Sequence, residues 1–202
     1  MSAPSTATLY RIAAYAGIGS GLVLLINAAK RSGLIPVTAA TQLIAPLAQV
    51  LALALIAGLY FAYTRRTGTF GLTAYLLNAG ALAALVGVEF VINLVFAELP
   101  ANTIAELRAG PLGIALTVAS ISFLLGTLAF AVALLMARKA PAAAVTLYAL
   151  GAVPVALRAA VPEWALNAGL VAMAVGIGWL SVRMLRDAST HAETTTPAVA
   201  VA

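Results

Sequence analysis

Long apolar runs, separated by short segments that carry most of the charge, are the feature that most constrains how this chain can fold. Hydrophobic residues make up 63% of its 202 residues and charged residues only 8%, whereas soluble domains carry about 25% charged residues. So few charges cannot keep a fold of this composition in water. A lipid bilayer is therefore the expected solvent, and the predicted fold class is an all-α, polytopic membrane bundle.

Six of the runs are predicted to cross the bilayer, which takes about 20 apolar residues per helix. In chain order they cover residues 9–29, 41–63, 70–96, 112–137, 142–161 and 164–185. They form one predicted transmembrane domain, 9–185, between a disordered N-terminus, 1–8, and a Thr- and Ala-rich disordered tail, 186–202. Two alternatives stay open at this stage. The first run is also compatible with a cleaved signal peptide, and a fifth run that fails to cross, interrupted by Pro154 and Arg158, would leave five spans.

The distribution of Lys and Arg predicts which side of the membrane holds the chain ends. Six spans put both ends on one side, and cytoplasmic loops carry the excess of positive charge. That side would hold seven basic residues, Arg11, Arg65, Arg66, Arg138, Lys139, Arg183 and Arg186, against four on the other side, Lys30, Arg31, Arg108 and Arg158. Both termini are therefore predicted to be cytoplasmic, in a multi-pass protein of the plasma membrane.

Residue types that are missing from the predicted membrane domain limit the catalytic and metal-binding chemistry it can perform. The chain has no cysteine, and its only histidine, His191, and only aspartate, Asp187, fall in the predicted tail. The predicted membrane domain therefore has no residues for a catalytic triad, a haem ligand or a zinc site. We predict no catalytic residue, cofactor or metal. The basic residues are spread over the ends of loops and are not clustered with aromatic residues, so nucleic acid is not an expected partner.

One carboxylate, Glu89, lies inside the third apolar run, and it is the strongest functional clue in the sequence. At 100° per residue, three polar residues fall within roughly 40° of it on the same helix face: Tyr75, Asn78 and Asn93. The second span carries Gln42 and Gln49 on one face. We therefore expect the two polar faces to meet or to share an internal cavity.

Three explanations for Glu89 compete, because an ionisable side chain in a membrane helix is costly unless it has a partner. It is neutral and hydrogen-bonded to Asn or Tyr, or it pairs with Arg158, or it lines a pathway for protons, cations or a basic substrate. The candidate intramembrane polar site comprises Glu89, Asn78, Asn93, Tyr75, Gln49, Gln42 and Arg158.

Small residues and prolines predict how the helices pack and where they bend. Ala13, Gly17 and Gly21 recur every four residues, which lets another helix approach closely. We expect this face to pack within the chain first and between two copies second. Pro46 and Pro154 should each bend or end a helix, because proline removes a backbone donor.

Two stretches carry a resemblance to a known class. In FLLGTLAFAVALLMARKAPAAAVTLYALG an apolar helix meets a basic turn with proline and then a second helix, and GIGWLSVRML has the same texture. Over residues 9–187 the chain resembles the small six-helix integral membrane proteins of unknown function that are common in actinobacteria. The resemblance implies the six-helix architecture, and it brings no catalytic residues with it.

Three classes of function follow, in order of expectation. The first is a non-enzymatic membrane protein that binds or scaffolds a lipid or a protein partner, and the expected partners are the bilayer and either a second copy or another membrane protein. The second is a small transporter or permease that uses Glu89, with Asn78, Asn93, Gln49 and Tyr75 lining its site. The third, an intramembrane enzyme, lacks the His, Cys and Asp that such chemistry usually recruits.

Overall fold

The computed structural model describes the backbone of residues 5–194 and the side chains of residues 5–190. Within this part of the chain all regular structure is helical. The helices are α1 (Thr6–Arg31), α2 (Ala39–Leu43), α3 (Leu47–Leu59), α4 (Gly68–Phe90), α5 (Ala101–Ala109), α6 (Pro111–Ala137), α7 (Ala142–Ala156) and α8 (Glu163–Thr194). The all-α prediction is confirmed.

Four helical stretches among the described residues are long and apolar enough to cross a membrane. They are Thr6–Arg31, Ala39–Glu98, Pro111–Ala137 and Glu163–Thr190. Helix α7 is equally apolar in character but has 15 residues, which reach about 22 Å at 1.5 Å per residue. That length falls short of the roughly 30 Å hydrocarbon core.

The longest of these stretches folds back on itself. A π-helical turn, Tyr60–Thr64, and a 3-10 turn, Arg65–Thr67, extend α3, and Gly68 then has φ +67°. The rings of Tyr60 and Tyr75 stack with centroids 4.7 Å apart, although 15 helical residues in a straight line would separate them by about 22 Å. Helices α3 and α4 therefore form a hairpin, and Gly68 supplies the backbone conformation that reverses the chain.

The terminal helices extend beyond their predicted limits. Helix α1 begins at Thr6, because the Ser5 hydroxyl accepts the Thr8 backbone N–H and caps it. Helix α8 continues to Thr194, and its extension is held by Asp187, which pairs with Arg183 and accepts a hydrogen bond from Tyr63. The predicted disorder is therefore corrected for residues 6–8 and 186–194, while residues 1–4 and 195–202 lie outside the described part of the chain.

Small residues bring the helices together within the chain, as their spacing predicts. A Cβ at Gly21 would lie 3.2 Å from the Ala174 carbonyl oxygen of α8. A Cβ at Gly126 on α6 would lie 2.8 Å from the Cα of Asn78 on α4. Between α7 and α8, a Cβ at Gly151 would approach the Gly169 carbonyl oxygen to 2.6 Å. Backbone-to-backbone contacts of this kind explain how a bundle can pack without a hydrophobic drive between its helices.

Both prolines act as the sequence predicts. Pro46 lies between α2 and α3, where the helix is interrupted over residues 44–46. Pro154 is inside α7, which ends two residues later at Ala156. The chain then turns through residues 157–160, and this turn carries Arg158.

Candidate functional site

Glu89 forms an ion pair with Arg158. Its Oε1 lies 2.9 Å from Arg158 Nη1, with the glutamate side chain 15% exposed and the arginine side chain 21% exposed. Glu89 is in the last turn of α4, and Arg158 is in the turn after α7. Of the three explanations for this carboxylate, the structure contains the paired one, and the pairing supplies the partner that a carboxylate needs at this depth.

Asn93 extends the pair into a network. Its Nδ2 donates to Glu89 Oε2 at 2.9 Å and to the Glu89 carbonyl oxygen at 3.0 Å. Its Oδ1 accepts from Lys30 Nζ at 2.7 Å, and Lys30 also donates to the Thr41 carbonyl oxygen at 3.3 Å. The network therefore connects α1, α2, α4 and the turn after α7. Lys30 was predicted only as a loop charge, and nothing in the local sequence pairs it with Asn93.

A second ion pair lies at the same end of the bundle. Arg31 Nη2 approaches Glu163 Oε1 to 2.6 Å, and Arg31 Nε donates to Glu163 Oε2 at 3.2 Å. This two-point contact joins the end of α1 to the start of α8. The glutamate side chain is 67% exposed, so solvent screens the pair and it contributes little to stability.

Asn78 does not belong to the Glu89 network. It is fully buried, donates to the Tyr148 hydroxyl at 3.0 Å and accepts from the Thr127 hydroxyl at 3.1 Å. These contacts join α4 to α6 and α7. Eleven residues separate Asn78 from Glu89, about 16 Å along a helix, so one polar face serves two separate networks. The expectation that both residues share one site is therefore wrong.

The remaining predicted site residues have other neighbours. Tyr75 is half-buried and stacks on Tyr60. The Gln49 amide lies 3.2 Å from the Pro46 carbonyl oxygen and 3.3 Å from that of Ala45, so its nitrogen is the atom that faces them. Gln42 is half-buried in α2.

An elongated cavity, here named the inner cavity, runs through the bundle from the Glu89 network towards the opposite end. Its polar end is lined by Lys30, Arg31, Glu89, Asn93 and Arg158, and its walls by apolar residues such as Leu55, Leu85, Phe123 and Met173. The far end is formed by Leu59, Ile177 and Leu180. Its volume is only about 80 Å³, although 25 residues from both ends of the bundle line it. The inner cavity is therefore long and narrow.

The inner cavity places some of the predicted site residues together and leaves others outside. Glu89, Asn93, Arg158 and Gln49 all line it. The predicted shared cavity between the second and third spans is thus present, but Asn78, Tyr75 and Gln42 are not part of its lining.

Asn27 of α1 adds a buried acceptor to this site. It lines the inner cavity, it is 8% exposed, and its Oδ1 has no hydrogen-bond partner among the described residues. An unsatisfied buried acceptor costs roughly 1–3 kcal/mol. A hydroxyl or amide group in the cavity would satisfy it.

The described residues contain no group of three or more His, Cys, Asp or Glu side chains that could hold a metal ion. The polar end of the cavity instead combines three cations, Lys30, Arg31 and Arg158, with one carboxylate, Glu89, which is paired with Arg158. Such a set of charges is suited to an anionic group.

Comparisons with protein-family models, with curated proteins and with solved structures find no significant match.

Proposed function

We propose that this protein is a non-enzymatic, six-span protein of the plasma membrane that binds an amphiphilic lipid inside its helix bundle. The inner cavity is the observation that carries the proposal. It combines an apolar, narrow interior with a charged end, which matches the two parts of an amphiphile. Small-molecule sites are typically apolar with a few placed polar groups, and this cavity has that composition.

The shape of the cavity favours an extended chain over a compact ligand. Apolar side chains such as Leu55, Leu85 and Met173 line it along its length, and its volume of about 80 Å³ accommodates an acyl chain once these flexible side chains move apart. Transfer of an acyl or isoprenoid chain from water to such a wall gains about 0.8 kcal/mol per methylene. The Asn27 acceptor lies one helical turn below Lys30, so a ligand hydroxyl or amide near the headgroup would meet it.

Lipid binding is tested by a cavity-filling substitution with a matched control. Ala52 lines the inner cavity, and Ala54, two residues away on α3, is exposed on the outside of the bundle. Purified wild type should carry lipid that is extractable and identifiable by mass spectrometry. Ala52→Phe should lose it and Ala54→Phe should keep it. Equal lipid content in both variants, or none in wild type, would reject the proposal.

The six-span topology rests on the distribution of charge in the folded bundle. Arg31, Arg158 and Glu163 meet at one end. Arg138, Lys139 and Arg183 line a pocket at the other end. Helix α7 spans only about 22 Å with its 15 residues, so a crossing α7 places the turn after it below the level of the membrane surface. The ion pair with Glu89 then supplies Arg158 with a partner at that depth.

The absence of cysteine makes the topology directly measurable. Single cysteines introduced at Ser32, Thr67, Ala105, Ala140 and Pro162 fall in successive predicted connections. With both termini in the cytoplasm, an impermeant maleimide applied to intact cells should label positions 32, 105 and 162 and leave positions 67 and 140 unlabelled. The opposite pattern would invert the orientation, and the same labelling at positions 140 and 162 would show that the fifth run does not cross.

Transport is a second candidate function, supported by a pocket at the opposite end of the bundle. Tyr63 and Met184 line that pocket, and Leu59 and Leu180 close the inner cavity. Tyr63 follows Leu59 by four residues, and Met184 follows Leu180 by four residues, about 6 Å in each case. Roughly one helical turn therefore separates the two spaces. Opening of this turn would join them into a pathway that begins beside Glu89.

The transport candidate has its own test. Wild type and Glu89→Gln, reconstituted in liposomes at equal density, should differ in pH-driven uptake if Glu89 is part of the pathway. Equal uptake by both proteins would reject Glu89 as part of the pathway, and no uptake above that of empty liposomes would reject transport.

A further inference from the structure

A wider pocket adjoins the inner cavity at its charged end. We name it the arginine vestibule, because three of the residues that line it are Arg31, Arg108 and Arg158. About 420 Å³ of it admits the centre of a water molecule, compared with about 80 Å³ in the inner cavity. The two spaces share Arg31, Arg158 and Ile92 in their linings. The two spaces are therefore adjacent, and the vestibule is wide enough for a hydrated polar group.

The two linings together carry an excess of positive charge. The cations are Lys30, Arg31, Arg108 and Arg158, and the carboxylates are Glu89 and Glu163. Each carboxylate is held by one arginine, Glu89 by Arg158 and Glu163 by Arg31. Two positive charges stay uncompensated within this set. Low-dielectric walls strengthen the field of such a cluster and favour an anionic ligand.

The arginines also have donors to spare. A guanidinium group has five N–H donors, and Arg158 uses one on Glu89 while Arg31 uses two on Glu163. Arg108 lies over the Phe96 ring, 5.4 Å from its centroid, and makes no ion pair among the described residues. Planar guanidinium groups bind phosphate oxygens at two points, which a single ammonium cannot do.

The position of the vestibule suits a lipid headgroup. Trp164 follows Glu163 at the start of α8 and is 75% exposed. Tryptophan is enriched at the level of the headgroups, where its ring is apolar and its N–H is polar. A headgroup in the vestibule and a chain in the inner cavity would therefore match the layering of the surrounding bilayer.

We propose that the arginine vestibule binds the phosphate-monoester headgroup of a lipid whose chain occupies the inner cavity. This inference rests on the lipid binding proposed above and specifies the class of lipid. A phosphate monoester carries about −1.5 to −2 charges near neutral pH, which matches the two uncompensated positive charges of the lining. A phosphodiester headgroup has one negative charge, and a phosphocholine headgroup has none overall.

The test compares lipids with identical acyl chains and different headgroups. Native mass spectrometry of the full chain would measure binding of phosphatidic acid, phosphatidylglycerol and phosphatidylcholine, with inorganic phosphate as a headgroup without a chain. We expect phosphatidic acid to bind about tenfold more tightly than phosphatidylcholine, a difference of about 1.4 kcal/mol. Phosphatidylglycerol should fall between them. The preference should shrink as salt is raised, because part of the site is exposed.

Arg108→Gln and Arg66→Gln form a matched pair of variants. Both arginines are exposed, so neither substitution threatens the fold, and they lie at opposite ends of the bundle. Arg108→Gln should reduce the preference for phosphatidic acid by up to about fivefold, as expected for one exposed charge. Arg66→Gln should leave the preference unchanged.

The other possible binding results separate the headgroup assignment from lipid binding itself. Equal binding of the three lipids, all abolished by Ala52→Phe, would overturn the headgroup assignment and leave lipid binding intact. Failure of every lipid to bind would overturn both proposals. Binding of inorganic phosphate as tightly as phosphatidic acid, with the same dependence on Arg108, would identify a soluble phosphate as the ligand and overturn the lipid assignment.

Discussion

The carboxylate of Glu89 and the guanidinium of Arg158 lie 2.9 Å apart and join two parts of the chain separated by 69 residues. Asn93 donates a hydrogen bond to the second carboxylate oxygen and accepts one from Lys30. The one carboxylate inside an apolar run is thus neutralised by an arginine and fixed by an amide. This explains how the bundle tolerates it and why it marks the charged end of the inner cavity.

The ion pair should show strong energetic coupling. Glu89→Ala and Arg158→Ala should each reduce the free energy of unfolding by about 2–4 kcal/mol, because each leaves a half-buried charge without its partner. The double variant should lose less than the sum, with a coupling of at least about 1 kcal/mol. Unfolding in detergent micelles would measure all three.

The exposed Arg31–Glu163 pair provides the control for that cycle. Its coupling should be at most about 1 kcal/mol, because solvent screens it. Simple additivity for Glu89 and Arg158 would mean that the pair does not hold the two segments together.

The buried Asn78 network should be sensitive to the loss of its centre. Asn78→Ala leaves the hydroxyls of Thr127 and Tyr148 without their partner and should cost about 1–3 kcal/mol of unfolding free energy. Thr117→Val is the comparison, because Thr117 is exposed and bonds the Gly113 carbonyl of its own helix. It should change stability by less than about 0.5 kcal/mol. Similar melting temperatures for both variants would contradict an interhelical role for Asn78.

Substitution by alanine should lower the stability of the protein at Gly126 but not at Gly80. A Cβ at Gly126 would meet the Asn78 backbone at 2.8–2.9 Å, whereas a Cβ at Gly80 meets nothing within 4 Å. Gly126→Ala should therefore destabilise the protein by about 1–3 kcal/mol, because α4 and α6 must separate. Gly80→Ala should be neutral or stabilising by up to about 1 kcal/mol, through helix propensity. Thermal unfolding of the two variants, side by side, tests the close approach of α4 and α6; equal effects would argue against it.

Gly68 should resist replacement for a backbone reason alone. Its φ of 67° and ψ of −146° lie in a region that is essentially confined to glycine, where other residues pay about 1–3 kcal/mol. No atom lies within 4 Å of a Cβ at this position, so crowding does not contribute. Gly68→Ala should lower the unfolding temperature, while Gly87→Ala, also in open space but within α4, should not. Tolerance of Gly68→Ala would show that the α3–α4 hairpin turns in another way.

Much of the architecture follows from sequence periodicity, because helices are the main way to satisfy backbone hydrogen bonds in a bilayer. Apolar runs predict the helices, Pro46 predicts the break between α2 and α3, and Gly17 and Gly21 predict a close helix contact. The pairing of Glu89 with Arg158 was one of three alternatives, reached from the depth of each residue. The limits of α1 and α8 were predicted less well, because capping and ion pairing extend a helix beyond its apolar run.

The sequence by itself determined that the chain is helical, that several of its helices are apolar enough to cross a membrane, and which residues share a helix face. The tertiary structure decided which polar residues meet: Asn78 joins Thr127 and Tyr148, and Asn93 joins Lys30. It also decided that the inner cavity and the arginine vestibule adjoin. Periodicity gives the direction of a side chain around its own helix, but the partner comes from another helix. Its identity depends on the height and rotation at which the two helices pack, and these are set by contacts across the whole bundle.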